Sequence, residues 1–192
     1  MTPNRPAVFL DRDGTIIRDV DYLTRVEEIE LLPGATGAMR RLREAGFLLI
    51  VVTNQSAVAR GWLQQGQIPV IHDALDEMLG PEAAPDAYYY CPHLPGGPME
   101  EYGVECDCRK PSPGMLNEAV AEWNVDLGAS YMVGDSARDV AAGQAVGCFS
   151  VMVGPKDCPE ADARARDLAK ATEIILQRAG DATETDAASA SP

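Results

Sequence analysis

The chain predicts an α/β fold, a parallel sheet with helices on both faces. Three observations lead there. Short apolar runs of strand length alternate with helix-period segments over most of the 192 residues, the pattern of strands joined by crossover helices. Residues 47–52 are apolar throughout, as strands covered on both faces tend to be. Three polar clusters, at 11–15, 53–56 and 134–139, each follow directly on such a run. Functional groups in these sheets gather beyond the C-terminal strand ends.

Taken in order, residues 7–10 make the first strand. Residues 36–45 have helical spacing and end at Gly46, the residue type that closes helices. Residues 47–52 are a strand, and 68–79 a helix with Pro69 tolerable in its first turn. Residues 86–90 read as a strand, 113–123 as a helix, 131–133 as a strand, 137–145 as a helix, 148–153 as a strand and 159–177 as a helix. Residues 180–192, rich in Ala, Ser, Thr and Asp, lack core-forming side chains and are expected to be disordered. That leaves one domain, 1–179, of Rossmann-like architecture, and no internal repeat.

With 46% hydrophobic residues the chain can fill one full core. Its net charge of −14, from 16 basic and 30 acidic residues, is wrong for a nucleic-acid or anionic-membrane binder, whose affinity comes from clustered Lys and Arg. An anionic substrate must therefore be met by a few local cations and a metal. Residues 1–6 have no apolar core of a signal peptide, and the longest aliphatic run is far too short to span a bilayer. The expectation is a soluble cytoplasmic protein whose five cysteines are reduced, clustered ones being metal ligands.

Asp11 and Asp13 leave the first strand two residues apart, and Gly14 lets the chain turn sharply away. Two carboxylates at one point need a cation between them or a proton on one of them. The second distinctive feature is Cys91-Pro92-His93 followed by Cys106-Asp107-Cys108. Three thiols and an imidazole are a common set for structural zinc, and four ligands leave no open position. The loop 91–108 would close over twelve residues between the two pairs. Cys148 reads as strand core, Cys158 as a loop thiol and His72 as an exposed helix residue.

The run Phe9-Leu10-Asp11-Arg12-Asp13-Gly14-Thr15 resembles the first signature of the haloacid-dehalogenase-like phosphohydrolases. Thr53 after a strand resembles the second, Lys110 in Arg109-Lys110-Pro111 the third, and Gly134-Asp135 with Asp139 four residues on the fourth. Tyr89-Tyr90-Cys91-Pro92-His93, the stretch 104–111, Pro113-Gly114-Met115-Leu116 and Ala59-Arg60-Gly61 narrow the resemblance to the histidinol-phosphate and heptose-bisphosphate phosphatase branch. Within that branch the twelve-residue connection favours the heptose type.

The resemblance implies a phosphatase without a large cap domain, acting on a small sugar bisphosphate and using catalytic magnesium and structural zinc. Asp11 is then the nucleophile and Asp13 the general acid/base. Magnesium falls to Asp11, the Asp13 main-chain carbonyl and Asp135, and Thr53 and Lys110 complete the phosphate cradle. Arg109 would hold the distal phosphate with Asn54 and Ser56. Gln55 and Ser136 are further substrate contacts, and Asp19 and Tyr22, on a flap at 18–32, meet sugar hydroxyls. Asp139 supports the metal or caps its helix. Asp21 and Ala57 depart from the glycines usual in the heptose type. A monomer is expected.

Other readings stand beside this one. Histidinol phosphate is the alternative substrate. A receiver-type signalling domain also gathers acids, Thr and Lys around magnesium, but needs neither a second acid two residues after the first nor a zinc loop. A zinc-ribbon binding module has the wrong net charge.

Overall fold

A computed structural model describes residues 4–189. Six strands, β1 (Ala7–Leu10), β2 (Leu48–Asn54), β3 (Ala87–Cys91), β4 (Tyr131–Gly134), β5 (Phe149–Val153) and β6 (Ala163–Ala165), form one sheet in the order β3-β2-β1-β4-β5-β6. Every pairing is parallel. The helices are α1 (Ala35–Glu44), α2 (Gln67–Leu79), α3 (Gly114–Trp123), α4 (Ala137–Ala145) and α5 (Leu168–Ser189).

Alternation along each strand divides the core in two. Val8, Leu10, Leu49, Val51 and Val133 face α1, α2 and α5, while Ala7, Phe9, Leu48, Ile50, Val52 and Met132 face α3 and α4. The chain winds outward from β1 to β2 and β3, then crosses back to place β4 on the other side of β1. This reversal is where such sheets bind ligands. In register, Leu10 lies level with Val51 and Val133, so the residues that follow all three strands emerge together.

Helix α4 lies close on the sheet because Gly143 has no side chain. A Cβ there would stand 2.4 Å from the Cβ of Met132 and 2.6 Å from Ser150 Oγ. Among the described residues no helix is long and apolar enough to cross a membrane.

Three expectations need correction. The helix expected at 159–177 begins only at Leu168, and part of the preceding stretch is the edge strand β6. Three residues, Ala163-Arg164-Ala165, carry no readable period, and pairing with β5 decides their conformation. At its other end α5 runs on to Ser189, through much of the expected disordered tail. Alanines and the absence of proline from 180 to 189 favour a helix whether or not it packs. Residues 190–192 lie outside the described residues.

The third correction is His72, which is buried, not exposed. It lies on the inner face of α2 and stacks on Tyr88 of β3, with centroids 4.1 Å apart and rings 13° from parallel. Burial, helped by the charge of Arg12, lowers its pKa to about 3. A histidine held neutral in the fold and free to protonate when unfolded supports stability above its ordinary pKa of 6.5. That support is lost as pH falls below it. Between pH 7 and pH 5 the wild type should lose roughly 2 kcal/mol that a His72→Phe variant keeps, as read by urea unfolding at the two pH values. Parallel pH profiles for the two proteins would refute this.

Candidate active site

The site is built where β1, β2 and β4 end. Asp11 follows Leu10 and donates its main-chain N–H to the Val133 carbonyl at 2.9 Å, which locks it against β4. The chain then turns. Gly14 takes φ +82°, and a Cβ there would lie 2.8 Å from the Asp135 carboxylate. Only glycine lets this loop and Asp135 approach this closely.

Lys110 lies at the centre, almost fully buried. Its ammonium donates to Asp11 Oδ1 and the Val52 carbonyl and forms an ion pair with Asp139 Oδ1, each at 2.7 Å. Two carboxylates and a carbonyl thus surround the buried charge. Burial pushes the ammonium pKa down, but the nearby charges of Asp11 and Asp139 outweigh it and hold it above the ordinary lysine value. Asp139 does two jobs. One oxygen meets Lys110, and the other accepts the Ser136 N–H at 3.0 Å, closing a capping box at the start of α4.

The two aspartates of the first motif part company. Strand alternation stops at Leu10, so Asp13 does not follow Asp11. Its carboxylate turns to Arg12, which meets it at 2.9–3.2 Å, and to Gln55 Nε2 at 3.1 Å. Burial raises the Asp13 pKa, Arg12 pulls it back, and Asp11 pushes it up again; the net direction is upward. Arg12 itself is buried and also meets Gln55 Oε1 at 3.0 Å. Sequence reasoning gave Arg12 no role, because alternation would send it to the opposite face.

All of Asp11, Asp13, Asp19, Tyr22, Thr53, Asn54, Gln55, Ser56, Arg109, Lys110, Asp135 and Ser136 line one cleft of about 370 Å³. Two of the expected substrate contacts are otherwise engaged. Asn54 clasps the main chain of Lys110, with Nδ2 on its carbonyl and Oδ1 on its N–H, both at 3.0 Å. Gln55 is buried and bonds Arg12, Asp13 and Thr53 Oγ1. Asn54 thus positions Lys110, and Gln55 positions Arg12, Asp13 and Thr53. Arg109 reaches the cleft with one nitrogen anchored on the His93 carbonyl at 2.9 Å. Arg60, Arg138 and Lys156 also line it; isolated basic residues in loops give no sequence signal.

The flap is held by two short bridges, Asp13 to Ile17 and Ile17 to Leu31. At its tip Tyr22 meets Trp62 edge-on at 4.7 Å. Asp21 takes φ +67°, a region that glycine enters freely and aspartate tolerates better than most residues. That accounts for its standing at a glycine position.

Two donor sets can hold metal ions. Oxygens of Asp11, Asp135 and Asp139 lie within 4.8 Å of one another. Among the described residues these three carboxylates pair with two cations, the ammonium groups of Lys110 and Lys156, so negative charge remains, and all donors are the hard oxygens that suit magnesium. The Asp13 side chain is not in this set. In the second set, Cys91 Sγ lies 3.6 Å from Cys106 Sγ and 3.7 Å from His93 Nδ1, and Cys108 Sγ lies 3.3 Å from each of Cys106 Sγ and His93 Nδ1. Tetrahedral zinc with its usual bond lengths needs ligand separations of about 3.5–3.8 Å. The fit is within a few tenths of an ångström.

Comparison with known proteins agrees with this geometry. A family model described as HAD-hydrolase-like matches residues 107–178. D-glycero-beta-D-manno-heptose-1,7-bisphosphate 7-phosphatase of Escherichia coli K12 is 43% identical over 166 residues, 84% of this chain and 87% of that protein. The chain belongs to the haloacid-dehalogenase-like phosphatases. The Yersinia pestis protein of the same name is 43% identical over 74% of this chain and 76% of its own length. Among solved structures, the D,D-heptose 1,7-bisphosphate phosphatase from B. bronchiseptica, complexed with magnesium and phosphate, superposes with a TM-score of 0.78. It is 33% identical, over 90% of this chain and 99% of that one.

Burial makes the Lys110 ion pairs matter. Lys110→Met would leave Asp11 and Asp139 buried without their cation and should cost roughly 3–5 kcal/mol in urea unfolding. Lys156→Ala, which breaks the contact of a half-exposed lysine with Asp135, should cost no more than about 1 kcal/mol. Equal losses would refute the distinction.

Proposed function

We propose that this chain removes the C7 phosphate of D-glycero-D-manno-heptose 1,7-bisphosphate. The observation that carries the reading is the 43% identity to the E. coli 7-phosphatase over 84% of this chain and 87% of that protein. The cleft agrees with it: six basic residues balance six aspartates in its lining, within a chain of net charge −14. A second anionic group therefore has cations to meet beyond the reacting one.

Asp11 attacks the phosphorus in line. As the new O–P bond forms, the bond to the C7 oxygen breaks and its electron pair stays on the sugar. Asp13, its carboxyl pKa raised by burial, gives that oxygen a proton. It then takes a proton from the water that cleaves the aspartyl-phosphate, restoring Asp11. Lys110 and Thr53 hold the phosphoryl oxygens, with Asn54 and Gln55 fixing those two groups. Arg109 and Ser56 meet the distal phosphate, and Asp19, Tyr22 and Ser136 the rest of the substrate.

Asp11, the Asp13 carbonyl and Asp135 would hold magnesium, which when bound neutralises the charge on the transferring oxygens. Cys91, His93, Cys106 and Cys108 would hold zinc with no open position, a structural ion. Thiolate ligands and five free cysteines suit the reducing cytoplasm. Every group invoked comes from one chain, so a monomer suffices.

With saturating magnesium, Asp11→Asn should abolish turnover in a folded protein. Asp13→Asn should slow it by about 10²–10⁴-fold. In the wild type, kcat/KM should favour heptose 1,7-bisphosphate over histidinol phosphate; the reverse order would overturn the substrate assignment and leave the mechanism standing. Metal analysis should find one tightly held zinc per chain, and Cys106→Ser should lose both the metal and several degrees of Tm. Protein without zinc in this loop, or with a disulfide there, would remove the structural-metal assignment.

A further inference from the structure

Five of the six cations lining the cleft are engaged. Arg12 meets Asp13, Lys110 meets Asp11 and Asp139, Lys156 meets Asp135, Arg138 meets Ser136 Oγ, and Arg109 meets the His93 carbonyl. Arg60 is different. Its Nε is buried without a hydrogen-bond partner, and among the described residues no carboxylate pairs with it. What holds it is aromatic: its guanidinium carbon lies 5.0 Å from the Tyr22 ring centroid and 5.3 Å from that of Trp62. Stacking on ring faces orients a guanidinium while leaving its in-plane N–H donors free. A partly desolvated cation with open donors is a poor end state but a prepared receptor for an anion.

We propose that Arg60 binds the phosphate that is not hydrolysed and so helps to set the preference for a bisphosphate. This rests on the sugar-bisphosphate reading above. Two features of the surroundings fit the role. Arg60 lies on the turn after β2, and the cysteine loop braces that turn: the Met99 N–H donates to the Ala59 carbonyl at 3.1 Å, and a Cβ on Gly97 would lie 3.0 Å from the same oxygen. The same loop supplies the His93 carbonyl that anchors Arg109. One loop thus steadies two arginines at the cleft, neither of them in contact with Asp11. Tyr22 belongs to the flap, so an anion on Arg60 would also be sensed there.

The test compares wild type, Arg60→Gln and Arg60→Lys on heptose 1,7-bisphosphate and heptose 7-phosphate, together with inhibition by the product, heptose 1-phosphate. Loss of a charge-assisted contact should lower kcat/KM of Arg60→Gln on the bisphosphate by about 10–100-fold, chiefly through KM. The 7-phosphate should suffer far less, and product inhibition should weaken by a similar factor to the bisphosphate loss. Arg60→Lys, keeping charge without the fork, should recover part of the loss. An unchanged ratio of bisphosphate to monophosphate, or equal losses on both, would overturn the assignment; equal losses are what a mere brace for the flap would produce. A wild type that turns over the 7-phosphate as well as the bisphosphate overturns the substrate reading and this inference with it, before any variant is compared.

Discussion

One ammonium group ties this site together. Lys110 Nζ joins Asp11 after β1, the carbonyl of Val52 on β2 and Asp139 at the start of α4. Those three elements are brought together only by the completed sheet, so the centre cannot form before the fold does. Isolating such a charge from water costs several kcal/mol, and two carboxylates and a carbonyl are needed to offset it. The demand shapes the neighbourhood. Asn54 holds the lysine's main chain from β2, Gly134 leaves room for Asp139 (a Cβ there would stand 2.3 Å from the Asp139 Cβ), and Ser136 completes the cap that orients it.

The same demand separates the two motif aspartates. Both could not face Lys110 and the metal oxygens without crowding three or four negative charges around one cation. Instead Asp11 faces the lysine and Asp13 faces Arg12 and Gln55. Their environments then differ in a useful way. The first meets an ammonium directly, whereas the second lies where burial raises the carboxyl pKa. Two aspartates with such different surroundings can stand two residues apart because the chain turns between them.

Most of the architecture was legible in the sequence because it rests on period and composition. The apolar runs at β1 and β2 and the helix pattern of α4 are local signals that the tertiary structure leaves intact. What escaped was decided by pairing. β6 is three residues with no pattern, held by β5 and by an Asp162 carboxylate that accepts the Ser150 N–H at 2.8 Å. His72 has a polar side chain on the buried face of α2, where it stacks on the Tyr88 ring of β3 and meets Tyr90 edge-on. Arg12 was hidden by alternation that had already ended. In the site, residue types and spacing identified the cleft-lining groups, while the tasks of Asn54 and Gln55 depended on contacts 42 to 56 residues away in the chain, which no local pattern records.

The cysteine loop joins these levels. It follows the edge strand β3, where Cys91 pairs with the end of β2, and returns to the main body at Arg109 and Lys110. A loop of this length with no core of its own would be a weak support for charged groups that must be held to fractions of an ångström. Four donors spaced for one tetrahedral ion would close it into a ring when an ion is bound, and from this loop Met99 reaches the Ala59 turn while His93 reaches Arg109. Lys110 is held from both sides, by the loop before it and by Asn54 across it. Rigidity at the cleft mouth can come from a loop as well as from a cap domain, and these four side chains stand where an ion would supply it.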